Sequence, residues 1–324
     1  MSLNHALDSR PTDRFKGVVA RFSKNSEHAA MREALQNAEF ILDFSASVSV
    51  ARELSEEIGI PRVFSAFLTP GGGSLILHCE DTERMTRLDW LEAITLRAIV
   101  ENTALKSCYS SEGREIWYGG ACREVSTVIP NYKVSIFAAI AANSFTQQHE
   151  KRGALCDAFV LDPDSMGVTP IRIESTQPIE VKCDDWIIRY DSVLIDSLKN
   201  MRSNHLPNET GGILLGIFDR ERKVCSIVLG SDSPPDSCSW PTEYIRGVEG
   251  LKKYVDNVAE ITAKQLQYVG EWHSHPRGYS SEPSELDRTA VANLKLVLGR
   301  EGYPAIALIV SDDPLPYVLF DQWL

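Results

Sequence analysis

Apolar positions in the first half of the chain follow helical and strand periods in turn. The segments with helical spacing are 28–38, 48–59, 87–104 and 134–148. The apolar runs typical of strands are 39–44, 62–68 and 75–80. Between 149 and 184 the pattern is irregular, and it predicts only short strands such as 168–174. This alternation predicts an open α/β sheet covered by helices.

The sequence TPGGGS at 69–74 separates two of the predicted strands. A phosphate-binding glycine loop follows a strand and opens a helix, so that the phosphate meets the helix N-terminus. Because TPGGGS joins two strands, we expect Gly71 to Gly73 to form a hairpin turn and not a nucleotide site.

A second α/β pattern begins near Trp186. Its predicted elements are a strand and helix (186–203), two strands (211–218 and 224–230), a Pro/Ser-rich loop (231–241), a helix (247–266), a strand (268–275), a helix (285–298) and two closing strands (305–311 and 317–320). This is a mixed α/β unit of about 140 residues, a common domain size. We therefore place the domain boundary near 175–185, which gives domains 1–180 and 181–324.

The composition is that of a soluble globular protein, with 43% hydrophobic and 24% charged residues in a chain of 324 residues. The net charge of −12 argues against nucleic acid or an anionic membrane as a partner. Seven cysteines without a CxxC pair favour free thiols in a reducing compartment. Because the N-terminus lacks an apolar signal-peptide core and no apolar run is long enough to span a bilayer, we expect a cytoplasmic protein.

The stretch GEWHSHPRGYSSEPSELD at 270–287 contains two histidines one residue apart. Side chains at i and i+2 of an extended strand point the same way, so His273 and His275 can aim both imidazoles at one point. Asp287 lies in the first turn of the following helix, and the loop between is long enough to bring it over the histidines. Two histidines and one carboxylate leave a tetrahedral zinc ion with a vacant position for water, as in catalytic sites.

Each of these residues also has a simpler interpretation. Histidine pairs are common at exposed strand ends, and Ser284-Glu-Leu-Asp287 matches a capping box that only stabilises the helix start. Glu209, beside a glycine pair at the start of a buried strand, is either a proton acceptor or an ordinary turn carboxylate. Their joint order and spacing favour a hydrolytic metal site.

Three segments together resemble the JAMM (MPN+) metallopeptidases, in particular their prokaryotic JAB-domain branch: Glu209-Thr-Gly-Gly, Glu271-Trp-His273-Ser-His275-Pro and Ser284-x-x-Asp287. The resemblance covers roughly 185–324 and implies a mixed α/β, cytidine-deaminase-like fold. It implies His273, His275 and Asp287 as zinc ligands, Glu209 as the general acid/base and Ser284 as a stabiliser of the tetrahedral oxyanion. The segment between His275 and Asp287 is one residue longer than we expect for the family, an expansion that a loop can absorb.

The stretch AEFILDFSAS at 38–47, with the helix and PRVFSAFLTPGGG after it, resembles the later part of the ThiF-type, ubiquitin-activating adenylation domain. This implies a partial Rossmann-like fold, with Asp43 where that family holds a magnesium-binding aspartate. No GxGxxG follows a first strand, and nothing upstream of residue 28 supplies the missing half-sheet. We therefore expect either a fragment of a longer activating-enzyme fusion or a remnant used for binding.

Cys122, in GGACREVSTVIP, lies in a loop before a helix, where an activating enzyme of this type can carry its thioester cysteine. The adjacent Arg123 favours the thiolate. An inert loop or packing cysteine is the simpler interpretation, and both stay open.

Both resemblances point to ubiquitin-like protein chemistry. They imply a zinc-dependent peptidase or isopeptidase that cleaves after the C-terminal glycines of a ubiquitin-like protein, in precursor processing or deconjugation. Activating and conjugating enzymes of the same pathway would be further partners. Two alternatives remain: a fragment of an activating enzyme with Cys122 as its thioester cysteine, and a non-catalytic scaffold. The presence of Glu209 together with both histidines and Asp287 argues against the scaffold.

Overall fold

The computed structural model describes residues 29–109, 116–117, 125–126 and 129–322. The helices in these ranges are α1 (Ala29–Gln36), α2 (Val48–Glu56), α3 (Leu88–Glu101), α4 (Asn131–Gln148), α5 (Ser192–His205), α6 (Leu251–Ile261) and α7 (Glu285–Leu298). The strands are β1 (Ile41–Asp43), β2 (Val63–Leu68), β3 (Ser74–Cys79), β4 (Ile116–Trp117), β5 (Val125–Ser126), β6 (Leu155–Leu161), β7 (Val168–Arg172), β8 (Ile179–Cys183), β9 (Trp186–Tyr190), β10 (Gly211–Asp219), β11 (Val224–Gly230), β12 (Cys238–Trp240), β13 (Glu243–Ile245), β14 (Gln267–Ser274), β15 (Ala305–Val310) and β16 (Tyr317–Asp321).

The N-terminal half contains a five-stranded sheet in the order β1-β2-β3-β6-β7. Strands β1 and β2 are parallel, and each later pair in this order is antiparallel. The turn between β2 and β3 confirms the predicted hairpin: Thr69 N donates to Ser74 O at 2.9 Å, and Gly72 has a left-handed φ of 63°. Strand β6, within the segment predicted to be irregular, is mostly buried beside β3.

The C-terminal half contains a seven-stranded sheet in the order β16-β15-β14-β10-β11-β9-β8. Strand β14 lies near its middle, antiparallel to β10 and parallel to β15. Helix α5 packs against β11 and β15 with the apolar cluster around Trp272, and helix α7 packs over β15 and β16. This arrangement places the ends of β14 and β10 beside the first turn of α7.

Helix α3 lies between the two halves of the chain. Eleven of its residues are buried, on every side of the helix, which is the pattern of a helix enclosed by other elements. It packs against β3 of the first sheet, β11 of the second and the helices α2 and α6. One apolar cluster accordingly contains residues of both halves, for example Ile94, Val228 and Leu266.

Buried ion pairs also join the two halves. Asp89 of α3 accepts hydrogen bonds from Arg189 at 2.7 Å and from Arg222 at 2.8 Å. Burial raises the pKa of the Asp89 carboxyl, but the two guanidiniums outweigh it and lower the pKa to about 2. Arg97, also on α3, makes a bidentate pair with Asp191 at 2.8 Å. Five charged side chains therefore meet along α3. Two belong to the helix itself, and three come from the C-terminal half.

The observed architecture is mixed α/β, as predicted. A Rossmann-like, ThiF-type N-terminal domain is not confirmed, and the division into 1–180 and 181–324 stays a prediction. Strand β8, which begins at Ile179, already belongs to the second sheet. None of the described helices combines the length and the apolar character of a membrane span.

Candidate metal centre

His273 in β14 and His275 directly after it lie on one face of the second sheet. Trp272 and Ser274 are buried on the opposite face, so the strand alternation leaves His273 and His275 side by side, with ring centroids 5.3 Å apart. Asp287, from the first turn of α7, reaches both rings. Its Oδ1 lies 3.0 Å from His273 Nε2, and its Oδ2 lies 3.5 Å from His275 Nε2.

The three side chains fit a metal ion. One donor atom from each lies within 4.8 Å of the others, and among the described residues this is the cluster of His, Cys, Asp and Glu side chains with such geometry. Nitrogen and oxygen ligands about 2.0–2.1 Å from a tetrahedral zinc ion lie about 3.3 Å from one another, close to the two separations observed. His273 Nε2 is also buried and lacks a hydrogen-bond partner among the described atoms, which suits a metal ligand.

The second nitrogen of His275 fixes which nitrogen faces the cluster. His275 Nδ1 lies 2.7 Å from the carbonyl oxygen of Ser280, and a carbonyl can only accept, so Nδ1 carries the proton. Nε2 of the neutral ring is then unprotonated and available to a metal. From the other side, Arg202 Nε of α5 donates to the backbone oxygen of His275 at 2.7 Å.

The loop that follows His275 is anchored to the segment after β15. Asp312 accepts a hydrogen bond from Gly278 N at 2.9 Å, and Asp313 accepts from both N and Oγ of Ser281 at 2.7 Å. These bonds hold the loop in place ahead of Ser284. Asp287 still reaches the histidines.

The predicted capping box at the start of α7 is confirmed. Asp287 N donates to Ser284 Oγ at 3.3 Å, and Ser284 N donates to Asp287 Oδ2 at 2.7 Å. Because Ser284 Oγ is the acceptor in this pair, its own proton can be donated elsewhere, and Ser284 lines the cleft that contains the histidines.

The pKa values of Asp287 and His275 are shifted in opposite directions by their mutual contact. Burial raises the pKa of the Asp287 carboxyl, but the adjacent imidazoles of His273 and His275 outweigh it and hold the pKa far below its usual range. Burial lowers the pKa of His275, but Asp287 and the Ser280 carbonyl outweigh it and the pKa is raised. The carboxylate is therefore ionised, as a metal ligand must be.

Glu209 precedes β10 and lines the same cleft. It is only 8% exposed, and burial raises the pKa of its carboxyl, while His273 and His275 act in the opposite direction. A carboxyl with a raised pKa beside a candidate metal site suits a group that takes up and releases a proton.

The two glycines after Glu209 are required by close packing. A Cβ on Gly211 would lie 2.3 Å from Trp272 O and 2.7 Å from the ring of Tyr244. A Cβ on Gly212 would lie 2.3 Å from Ser231 O. Only glycine lets β10 approach β14 and the Ser231 segment this closely.

The cleft has a volume of about 520 Å³ and opens at the protein surface. The hairpin of β12 and β13 forms one wall, and α7 forms the other. Ile245 and Leu286, from opposite walls, are 53% and 64% exposed. Each wall thus exposes one large apolar side chain, and the charged Glu243 and Arg246 line the cleft beside Ile245.

Asp43, singled out in the N-terminal half, is not among the residues of this cluster. Asp43 is buried, and its two carboxylate oxygens accept hydrogen bonds from Ser45 N at 2.9 Å and Ser65 Oγ at 3.0 Å. Cys122 lies outside the described residues. The six described cysteines are free thiols: Cys79, Cys108, Cys156, Cys183, Cys225 and Cys238.

Several residues that support the site are not marked by any motif or periodic pattern in the sequence. Arg202 and Ser280 act through backbone atoms of the ligand segment, which no motif spacing reveals. The hairpin β12–β13 lies across the end of a segment predicted to be a Pro/Ser-rich loop, because each strand is only three residues long and too short to show a period of two.

Comparison with known proteins locates a family in the same part of the chain. Residues 192–320 match the family described as prokaryotic homologs of the JAB domain. A "CD-NTase/cGAS isopeptidase" of Enterobacter hormaechei subsp. hoffmannii is 35% identical over 107 residues, which are 33% of this chain and 57% of the relative. A "Probable metalloprotease" of Sinorhizobium fredii is 26% identical over 86 residues, 26% of this chain and 52% of the relative.

The chain thus spans about half the length of the curated relatives that it matches. A solved structure, a solution structure of a Desulfitobacterium hafniense protein, covers 40% of this chain and 79% of its own at 18% identity and a TM-score of 0.27. The region that matches the prokaryotic JAB-domain family contains every residue of the candidate metal cluster.

Proposed function

We propose that residues 192–320 form the catalytic domain of a zinc-dependent peptidase. It would cleave the peptide or isopeptide bond that follows the C-terminal glycines of a ubiquitin-like protein. The observation that carries the proposal is the donor cluster of His273, His275 and Asp287 in one cleft with Glu209. The relatives named isopeptidase and metalloprotease support this class of reaction.

Five residues of the cleft have a role in the proposed reaction. His273, His275 and Asp287 would hold the zinc ion, which supplies Lewis-acid polarisation of the scissile carbonyl and a more acidic water. Glu209 takes the proton of the attacking water and delivers it to the departing amine. Ser284 donates its hydroxyl proton toward the developing oxyanion, a contribution of about 3 kcal/mol at comparable sites.

The shape of the cleft favours a narrow, flexible substrate segment. Trp272 and His273 of β14 line the cleft together with Ala307 of β15. Ile245 on β13 and Leu286 on α7 are exposed apolar side chains at its two walls. A tail that ends in glycine can lie in such a groove with its last carbonyl near the cluster, because glycine has no side chain to exclude.

A direct test uses a ubiquitin-like protein joined through its C-terminal glycine to a reporter, in one fusion through a peptide bond and in another through a lysine side chain. Purified protein with one zinc ion per chain is expected to release the reporter from at least one of them. A matched fusion in which the last glycine is replaced by valine is expected to be cleaved at least tenfold more slowly. Equal rates on both tails would contradict the substrate assignment.

A further inference from the structure

Both the backbone N–H and the backbone carbonyl of Glu209 are hydrogen-bonded to strand β12 of the hairpin β12–β13. Glu209 N donates to Trp240 O of β12 at 2.9 Å, and Ser239 Oγ of β12 donates to Glu209 O. Glu209 precedes the first residue of β10, so these contacts replace the ladder that would otherwise continue there. The position of the Glu209 side chain therefore depends on where β12 lies.

Hydrogen bonds from Tyr244, on β13, tie this hairpin to the body of the domain. Its hydroxyl donates to Gly211 O at 2.7 Å and lies 2.9 Å from Ser233 Oγ and 3.2 Å from Ser237 Oγ. A phenol has one proton and a carbonyl can only accept, so that proton is committed to Gly211 O. The Tyr244 ring also packs against Gly211, where an added Cβ would meet it at 2.7 Å.

The segment 209–211 is held equally firmly on the side of the histidines. Thr210 N donates to Ser274 Oγ at 3.1 Å, Ser274 N donates to Thr210 O at 2.7 Å, and Gly211 pairs with His273 across the sheet. The backbone around Glu209, the candidate acid/base residue, is thus bonded on one side to β14, which carries His273, and on the other to the hairpin that carries Tyr244.

The hairpin has little to hold it in place by itself. Strands β12 and β13 have three residues each and pair with each other as a two-stranded sheet separate from the large one. A short two-stranded hairpin is at best marginally stable in water, so its position is set by contacts to its surroundings. The Tyr244 hydroxyl lies within hydrogen-bond distance of groups on β10 and on the segment that leads into the hairpin.

We propose that Tyr244 is a positioning residue for Glu209, acting through the hairpin β12–β13 and the backbone of Gly211. The inference rests on the proposed function in one respect, the role of Glu209 as the proton acceptor. A general base must lie within about 2.6–3.2 Å of the atom whose proton it takes, and a misplacement of about 1 Å can lower a rate about a hundredfold. Removal of the Tyr244 hydroxyl therefore lowers turnover although Glu209 and the three candidate metal ligands are unchanged.

The test is the variant Tyr244→Phe, which keeps the ring and removes the hydroxyl. We expect kcat to fall about tenfold and KM to change by less, because the loss of the hydroxyl displaces the base while the Tyr244 ring still lines the cleft. Zinc content should stay at the parent value. Ser239→Ala, which removes a different bond from the hairpin to Glu209, is expected to change kcat in the same direction, and Tyr132→Phe on α4, half exposed and remote from the cleft, serves as the matched control.

A second readout does not depend on the reaction. Hydrogen exchange of backbone amides in peptides that cover 207–213 and 238–245 should be faster in Tyr244→Phe than in the parent, with no change in peptides that cover the histidines. Unchanged kcat and unchanged exchange would overturn the inference, and so would a loss of zinc that accounts for the lower rate. If the parent protein cleaves no glycine-tailed fusion, the proposed function fails, whereas the exchange measurement still decides whether Tyr244 holds Glu209.

Discussion

Ser284 and Asp287 exchange two hydrogen bonds across the first turn of α7, one from Ser284 N to Asp287 Oδ2 at 2.7 Å and one from Asp287 N to Ser284 Oγ at 3.3 Å. The other carboxylate oxygen of Asp287 lies 3.0 Å from His273 Nε2. Oδ2 of Asp287 therefore accepts the cap hydrogen bond, while Oδ1 faces His273 without a bond to the cap. The cap holds the carboxylate in the orientation that a metal ion would need.

The two roles of Ser284 can be separated with two substitutions. Loss of an N-cap side chain costs about 1 kcal/mol when the replacement is alanine but only a few tenths when it is glycine. Loss of an oxyanion donor lowers kcat by about a hundredfold or more. We therefore expect Ser284→Ala and Ser284→Gly to lose turnover alike, while urea unfolding shows a larger loss of stability for Ser284→Ala. A kcat that follows the order of the two stabilities would assign Ser284 to the cap alone.

Gly211→Ala should damage both the fold and the site. The added methyl group meets Trp272 O at 2.3 Å, and backbone cannot move aside as a flexible side chain can. Overpacking of this kind costs about 1–3 kcal/mol, and here it also pushes Glu209 and the hairpin away from β14. Gly73→Ala, where nothing lies within 4 Å of the new Cβ, is the matched control. Thermal unfolding that is the same for both variants would contradict the close packing of β10.

Much of this site could be predicted from the sequence because its chemistry is local. The strand alternation of His273 and His275 and the helix start at Ser284 are both short-range patterns, and the structure shows the capping box where it was predicted. No periodicity predicts that Glu209 lies in the same cleft as the histidines. The sequence pattern left it as either a proton acceptor or a turn carboxylate, and the resemblance favoured the first. Tyr244 lies in a segment whose strands are too short for a periodic signal, and its partner Gly211 is a backbone carbonyl.

The N-terminal half was harder to predict for a different reason. Helix α3 is enclosed by both sheets, so its burial depends on how the halves pack and not on an amphipathic pattern. Asp89 is likewise an ordinary acidic residue in the sequence, and only the packing brings Arg189 and Arg222 to it.

Arg202 supports His275 from beneath. Its Nε donates to His275 O, and its Nη1 pairs with Asp312 at 2.8 Å, so the two acceptors are held by two separate nitrogens of a planar fork that lysine does not have. Residues that orient metal ligands typically change metal affinity by tenfold to a hundredfold, and we expect Arg202→Lys to raise the Kd for zinc by about tenfold. Chelator competition measures this, with the exposed Arg300→Lys as the matched control. A Kd equal to that of the control would remove Arg202 from the site.

Asp89→Asn should weaken the contact between the halves. It leaves Arg189 and Arg222 without the carboxylate that they share, a change that costs about 3 kcal/mol in comparable buried pairs. Because the pKa of Asp89 is lowered to about 2, its ionised form stabilises the fold above the ordinary pKa of 3.8. That contribution, about 2 kcal/mol, is lost as the pH falls from about 4 through 2.

The difference in the free energy of unfolding between the parent protein and Asp89→Asn should therefore be constant from pH 7 to pH 5 and shrink below pH 4. Denaturant titrations at pH 6, 4 and 3 give this difference directly. A difference that grows on acidification would show that the pKa of Asp89 is not lowered by the two arginines.

In the proposed mechanism, Glu209 and the zinc ion held by His273, His275 and Asp287 act together. The decisive measurement is the rate of reporter release from a glycine-tailed ubiquitin-like fusion by four samples: the parent protein, the parent treated with chelator, the chelated protein with zinc restored, and Glu209→Gln with its zinc content verified. We expect cleavage by the parent, loss with chelator, recovery with zinc, and a kcat at least a hundredfold lower in Glu209→Gln at equal zinc content. Cleavage that persists both in chelator and in Glu209→Gln would contradict the proposed mechanism.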